Sequence, residues 1–567
     1  LRWSPNAEAN NVKRIKSATI LLIAIGGAAT SGVACSAAPG DSASTATEAA
    51  TAYVPWAIQR VVKEGQFDGY LLENAAAFKS FKDTALGNLG VPMVMLRLFP
   101  VLFPQYWGTP SMNFAPVGFA QDPYELRALP LGLGYTPSPT AVPTPLGNVN
   151  VNVVTLTCMG CHGGRVQGPD GVVHTVPGAP NTQFDGFRTM VYATVNDPGY
   201  TAAAFRTALA AQPLGWVYED PTMLVQESLE RAIFMAPGGA EAMLAQLQQG
   251  SDFGAQRFGA TLGTYTYGMT PNAPNPAGPT PGYLDAIGAG ISIVVDPTQF
   301  TSTQLRSILP PAPAMIDIMS VWNQKARPAA QWDGSIPNHL HRNLAAEFGV
   351  IGSPTNLNMQ NADVTTTFTD ALPSPPYPYD VEDGEAAAGT VLFGKYCATC
   401  HYDGNATIFP TSEVGTDPNR ANIWSPYTVG ALRTVLRAAC TDPVTCNPGG
   451  APLPDAQIVN PTGGYMALPL NGIWARAPYL HNGSVPTIAA LLTNKRPTTF
   501  YRGNITLDPV NLGFVSNAAV TPFAAIFDTT KSGNSNAGHS TAEFNGPIDW
   551  ANSPIQLKQI IEYMKTL

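Results

Sequence analysis

Charge is scarce in this chain: Asp, Glu, Lys and Arg make up 12% of its 567 residues, and the formal net charge is −9. Beyond the first twenty residues there is no basic run. That excludes a nucleic-acid or anionic-membrane partner, because either would need a basic stripe. Cysteine and histidine are also rare, with seven of each. A chain this long can bury one large core or two to three ordinary ones, so it does not depend on disulfide staples. What is abundant is Gly and Pro, 53 of each, without a repeat period, beside a 45% hydrophobic content. This composition predicts a compact protein with much irregular, loop-built structure rather than disorder.

The exception to the missing basic runs is near the N-terminus. Lys13, Arg14 and Lys16 precede "SATILLIAIGGAATSGVA", an apolar stretch ending in small residues, as in a secretory signal. Residues 1–35 are therefore expected to be an extension plus signal peptide, and 36–51 a flexible tether. The apolar stretch is short and Gly-rich, so no membrane span is expected in the mature form. Cys35 follows it directly and is a candidate lipid anchor, although Gly32 stands where a lipobox wants an aliphatic residue. The expected location is secreted or periplasmic, or an outer membrane reached through that anchor.

The other six cysteines fall in pairs. Cys440 and Cys446 bracket "TDPVT", and in an oxidising compartment they are expected to form a local disulfide. Cys158, Cys161 and His162, and again Cys397, Cys400 and His401, form Cys-x-x-Cys-His. This motif attaches a c-type haem: two thiols bond the porphyrin and the adjacent His ligates the iron. Zinc would need two more Cys or His at compact spacing, and neither copy has them. A thioredoxin-like pair needs no following His. The expectation is two covalently attached haems.

The two settings differ. "DGEAAAGTVLFGKY" before the second copy favours helix, with Gly389 and Phe393 four apart on one face. The chain's end, "SPIQLKQIIEYMKTL", reads as its partner helix: Ser553 at the N-cap, Pro554 at the first position, and an apolar stripe of Leu557, Ile560, Ile561 and Met564. "GNVNVNVVTL" before the first copy alternates like a strand or extended loop. What fills the sixth position of each iron decides between electron transfer and chemistry on a bound molecule. For the second iron, His539, in a Gly/Asn/Ser-rich loop before the last helix, is a candidate, and Met466 is the alternative. His174 reads as structural.

"ARAPYLHNGSVPT", from Ala475 to Thr487, resembles the signature of bacterial di-haem proteins related to cytochrome c peroxidases and to MauG, the methylamine dehydrogenase maturation enzyme. The double motif, "MSVWNQKARPAAQWDGSIPNHLHRNLAAEFG" and "GNSNAGHS" more narrowly resemble the di-haem rubber oxygenases, over roughly residues 100–567. The resemblance implies that His162 ligates the working haem while His401 and His539 ligate an electron-transfer haem. It places Trp332 between the haems and Phe348 in the distal pocket, where Glu347 is the alternative. An apolar residue there suits O2 and a hydrocarbon, whereas a carboxylate suits acid–base cleavage of an O–O bond. Gln331 stands where the family is expected to have an aromatic residue. Arg476, Tyr479 and His481 are expected to contact the second haem as hydrogen-bonding or propionate-facing residues, with a rigid turn around Asn482 and Gly483 as the competing reading.

The expected fold is mainly α with long irregular loops and few short strands, built as two cytochrome-c-like haem domains. Residues 52–350 would form the active-haem domain, 351–380 a linker and 381–567 the electron-transfer domain. No repeat beyond the motif pair is evident. The implied activity is a haem dioxygenase that cleaves C=C bonds of poly(cis-1,4-isoprene) or a related isoprenoid with O2, with a redox partner protein possible. The alternatives are an H2O2-dependent di-haem oxidoreductase and an electron-transfer cytochrome.

Overall fold

The computed structural model describes residues 59–61, 65–110, 114, 119–122, 127–144, 147–180, 184–258, 283–284, 295, 300–308, 312, 314–351, 357–441, 446–521 and 524–567. The signal, the tether with Cys35, and the Gly/Pro-rich stretch 266–282 lie outside these. Among the described residues no helix is long and apolar enough to cross a membrane.

Helices dominate, as expected, and the strands form small sheets. After a strand and a short helix (Gly65–Glu73) come helix α1 (Ala75–Asp83) and helix α2 (Met93–Leu102). The aromatic density after α2 condenses into a core of Phe99, Phe103, Trp107, Phe187 and Phe205, against which Cys158 and Cys161 also pack. Strands β1 (Gln59–Val61), β2 (Val91–Pro92), β3 (Leu133–Thr144) and β4 (Gly147–Leu156) follow in chain order. The β3–β4 hairpin is longer than the short strands expected. Its β4 arm is the alternating stretch before the first motif, and its last six residues are buried. The motif folds as α3 (Cys158–His162), and the chain returns as β5 (Gly163–Gln167), antiparallel to β6 (Val173–Pro177).

Next come α4 (Leu224–Met235), α5 (His339–Ile351) and α6 (Met359–Ala371). Residues 351–380, read from sequence as a linker, therefore contain a helix. α6 packs on α1 through Phe368, whose ring centre lies 6.0 Å from that of Phe78 and 5.4 Å from that of Phe81. The second half repeats this pairing with α7 (Asp383–Tyr396) and, after α8 (Pro426–Ala439), the terminal α9 (Pro554–Lys565). Gly389 permits the crossing: a Cβ there would meet the Gln559 carbonyl oxygen at 2.0 Å. Phe393 stacks on Tyr563 at 5.0 Å, and Ile560, Ile561 and Met564 are buried as the apolar stripe requires. Ser553 stands at the N-cap without a side-chain bond, and Pro554 opens the helix.

A repeat the sequence reading did not find joins the halves. Residues 320–336 and 469–485 follow closely matching backbones, apart from a cis Ala477–Pro478 bond in the second. Asn323 and Gly472 are left-handed (φ 44° and 64°) and start matching 3-10 turns. Gln331 and Leu480 are left-handed at 71° and 65°, Gly334 and Gly483 at 64° and 60°. Ala330 bridges Ile336, as Tyr479 bridges Val485. Asn323 N–H donates to the carbonyl that follows α6 (Leu372, 2.7 Å), and Gly472 N–H to the one that follows α9 (Leu567, 2.7 Å). The units also exchange main-chain bonds: Met466 N–H donates to Trp332 C=O (3.0 Å) and Asp317 N–H to His481 C=O (2.7 Å).

Candidate functional site

The second motif closes the C-terminal end of α7. His401 Nδ1 lies 2.8 Å from the Leu468 carbonyl oxygen. Across from it stands His539, with ring centres 6.1 Å apart. With metal–nitrogen bonds of about 2 Å, two imidazoles on opposite sides of one iron have ring centres roughly 6 Å apart, so the pair fits a bis-His iron. His539 Nδ1 is bonded to Asn545 Oδ1 at 2.8 Å. Both outer nitrogens are thus engaged, which fixes the ring orientations and leaves the two Nε2 atoms for a metal. Burial lowers both pKa values, that of His401 to about 4 with a further push from His539, so both rings are neutral at physiological pH and able to ligate a metal.

The loop carrying His539 is held on several sides. His539 is itself left-handed (φ 49°), and its N–H donates to the Val414 carbonyl at 2.8 Å. A Cβ at the preceding Gly538 would meet Thr416 N at 2.3 Å. Arg496 donates to the carbonyls of Gly538 (2.7 Å) and His539 (3.1 Å), and Asn482 Nδ2 to those of Gly533 (3.0 Å) and Ser535 (2.9 Å). Met466 lies elsewhere, buried with Ala329 and Leu468 against Trp332.

The first motif lacks such a partner: among the described residues no second imidazole packs against His162. Burial, then Arg342, lower the His162 pKa to about 3, and the Met319 carbonyl opposes them. No hydrogen bond of normal geometry closes there, and buried Nδ1 is left without a partner. Burial raises the Cys158 thiol to about 12 and Cys397 to about 11. Thiols held that high are poor redox nucleophiles, which argues against a thioredoxin-like pair.

Around this motif stand charges the sequence reading only partly anticipated. Glu347 is buried, and burial pushes its carboxyl up to about 8; Oε2 accepts from Asn358 N–H at 2.9 Å. Phe348 is buried too; the Cys158 thiol is raised first by its own burial and then by the nearby Glu347 carboxylate. Arg342 and Arg327 were missed. Arg327 holds the position in the first repeat that Arg476 holds in the second: Arg327 Nη1 donates to Ser320 C=O (2.7 Å) and Arg476 Nη1 to Pro469 C=O (3.1 Å). Burial lowers their pKa values to about 9 and 10. These buried guanidiniums bond neutral carbonyls, and they fit the anionic propionates of a haem.

Trp332 lies between the motifs' supports. It packs on the buried cluster of Ala329, Met466 and Leu468, which Met319 also covers and whose Leu468 anchors His401, and its Nε1 donates to the Asp317 carbonyl at 2.7 Å. His481 occupies the matching position in the second repeat. It stacks on Tyr465 at 4.2 Å, with Nε2 3.1 Å from the tyrosine hydroxyl. The Tyr479 hydroxyl lies 3.2 Å from the carbonyls of both Ile473 and Leu512. Cys440 and Cys446 are joined in a disulfide, as expected. His174 lies 3.0 Å from the Tyr379 hydroxyl.

Residues 464–502, which contain the His481 turn, match the family described as RoxA-like, cytochrome c-like, which implies haem. Residues 76–162, ending on the first motif, match the Y4iN-like domain. Three uncharacterized proteins of Sinorhizobium fredii (strain NBRC 101917 / NGR234) are similar to this chain. Protein y4iJ is 50% identical over 107 residues, 18% of this chain and 18% of its own length. Protein y4iN is 31% identical over 115 residues, 18% of this chain and 55% of its own length. Protein y4iM is 36% identical over 303 residues, 49% of this chain and 70% of its own length, and the chain belongs to the y4iM family.

Proposed function

We propose that the protein is an exported di-haem c-type oxidoreductase that cleaves the C=C bonds of an isoprenoid such as poly(cis-1,4-isoprene) with O2. Cys158, Cys161 and His162 would hold the working haem; Cys397, Cys400, His401 and His539 the relay haem. The observation that carries the reading is the asymmetry between the two sites. One motif histidine faces a second imidazole at 6.1 Å, and the other does not. A capped iron suits electron transfer and an uncapped one can bind a small molecule. The substrate class rests on the sequence resemblance and on the RoxA-like match.

The haem supplies the oxygen chemistry when bound. The chain supplies the rest. Arg327, Arg342 and Arg476 neutralise propionates. The Leu468 carbonyl orients the His401 ring, the Met319 carbonyl stands near His162, and Trp332, packed on the cluster that holds Leu468, would lie on the path between the sites. The aromatic core beside Cys158 and Cys161 excludes water.

One observation favours a second reading, an H2O2-dependent oxidoreductase. Glu347 is buried beside the first motif and keeps its proton to about pH 8. A carboxyl poised near neutrality is suited to moving a proton during O–O cleavage. The test is incubation of the haem-loaded protein with polyisoprene latex in air, then with H2O2. Aldehyde- and ketone-ended oligomers from latex support the dioxygenase. Unchanged latex with H2O2-dependent turnover that collapses in Glu347→Gln supports the second reading, and failure of both sinks the proposal that the chain is an oxygen-activating enzyme.

A further inference from the structure

The disulfide between Cys440 and Cys446 has a neighbour that a purely structural bridge does not need. His341, near the start of α5, is 1% exposed, and its Nδ1 has no hydrogen-bond partner. Leaving a buried ring nitrogen unpaired is costly, so the atom calls for an explanation. One nitrogen of this ring lies within 4.8 Å of both sulfurs, which are themselves within 4.8 Å of each other. Burial, with Arg437 adding to it, lowers the His341 pKa to about 4, so the ring is neutral and carries a lone pair at physiological pH. Cys440 caps the C-terminus of α8, and Cys446 returns to the same apolar cluster as Leu340, Leu344 and Leu436. None of the three residues takes part in the haem sites.

We propose that Cys440, Cys446 and His341 form a redox-gated site for a thiophilic metal ion, Zn(II) or Cu(I), closed while the disulfide stands and opened by a dithiol reductant. Two thiolates and one neutral imidazole are the ligand types these ions prefer, and they leave a fourth position open. The balance is simple. The disulfide takes two electrons and two protons from the dithiol, which becomes a disulfide itself. Binding of the divalent ion then releases the two thiol protons, with no change in metal oxidation state. The short loop of the bridge keeps both sulfurs close after reduction, so the imidazole and the two thiols stay gathered.

The experiment uses the full-length haem-loaded protein, reduced with a phosphine under argon and dialysed against Zn(II) alone, with zinc counted by mass spectrometry. The proposal expects one zinc per chain above that retained by the Cys440→Ser/Cys446→Ser double variant. It expects no such excess without reductant, and at least a tenfold weaker affinity in His341→Ala. It also expects zinc to protect Cys440 and Cys446 of the reduced wild type from alkylation, a readout that does not depend on any variant folding. Retention no greater than in the double variant, unprotected thiols, or a bridge that the phosphine fails to open would overturn it.

Discussion

The two Cys-x-x-Cys-His motifs occupy halves with a similar helix pairing and a closely matching repeated backbone, yet among the described residues only one motif histidine faces a second imidazole. Around His401 the chain spends a whole loop on ligand control: Asn482, Arg496 and Asn545 together fix His539. Around His162 it places charge instead, the buried Arg327 and Glu347 and the half-buried Arg342. The lesson is that a shared scaffold sets where an iron would sit, while one loop and a few ionisable side chains set what it can do.

Removing the difference altogether should have the largest effect. His539→Ala uncaps the second site, so the number of CO molecules bound per ferrous chain is expected to rise from one to two, with loss of the low-spin bis-His spectrum. A stoichiometry that stays at one would mean His539 is not the ligand.

Glu347→Gln is the next step down. If Glu347 moves a proton, peroxide turnover falls about 10²–10⁴-fold while both absorption spectra are unchanged. The same residue gives a pH signature. Its folded pKa lies above its unfolded value, so its contribution to stability is full below about pH 4.5 and is lost as pH rises through about 8. The melting temperature of the wild type should therefore drop between pH 5 and 8 more than that of Glu347→Gln. Parallel melting curves against pH would refute the buried carboxyl.

Gly389→Ala probes the scaffold rather than the sites. Its added methyl meets the Gln559 carbonyl, and overpacking of this kind costs about 1–3 kcal/mol. Thermal unfolding should come several degrees lower with haem content intact. The smallest change expected is Asn545→Ala, which frees His539 Nδ1. Loss of such an outer partner weakens ligation about 10–100-fold, read as faster displacement of His539 by added imidazole.

Much of this comparison was legible in the sequence. The motif spacing, the Gly389–Phe393 face, the terminal apolar stripe, the alternation of β4 and the bridged cysteines all follow from local pattern. The repeat was harder to see because matching backbone is held by unlike residues: Asn323 answers Gly472, Gln331 answers Leu480 and Trp332 answers His481. Read side by side, "ARPAAQWDGSIP" and "ARAPYLHNGSVP" share Ala-Arg and Gly-Ser followed by a β-branched residue and Pro, a signal that was available. The α1–α6 pairing was hidden for another reason. In the second half α7 runs straight into its motif, whereas in the first α1 is parted from Cys158 by the whole β3–β4 hairpin and its approach. Charges such as the buried Arg327 and the half-buried Arg342 look like surface residues until the tertiary contacts are known.

The exchanged bonds from Met466 to Trp332 and from Asp317 to His481 set a schedule for biogenesis. The earlier motif is synthesised before the segment that supplies the His481 carbonyl, so until that segment arrives the residues around Asp317 lack their cross-partner. A first half made alone would miss the same bond, so each half completes the backbone hydrogen bonding of the other.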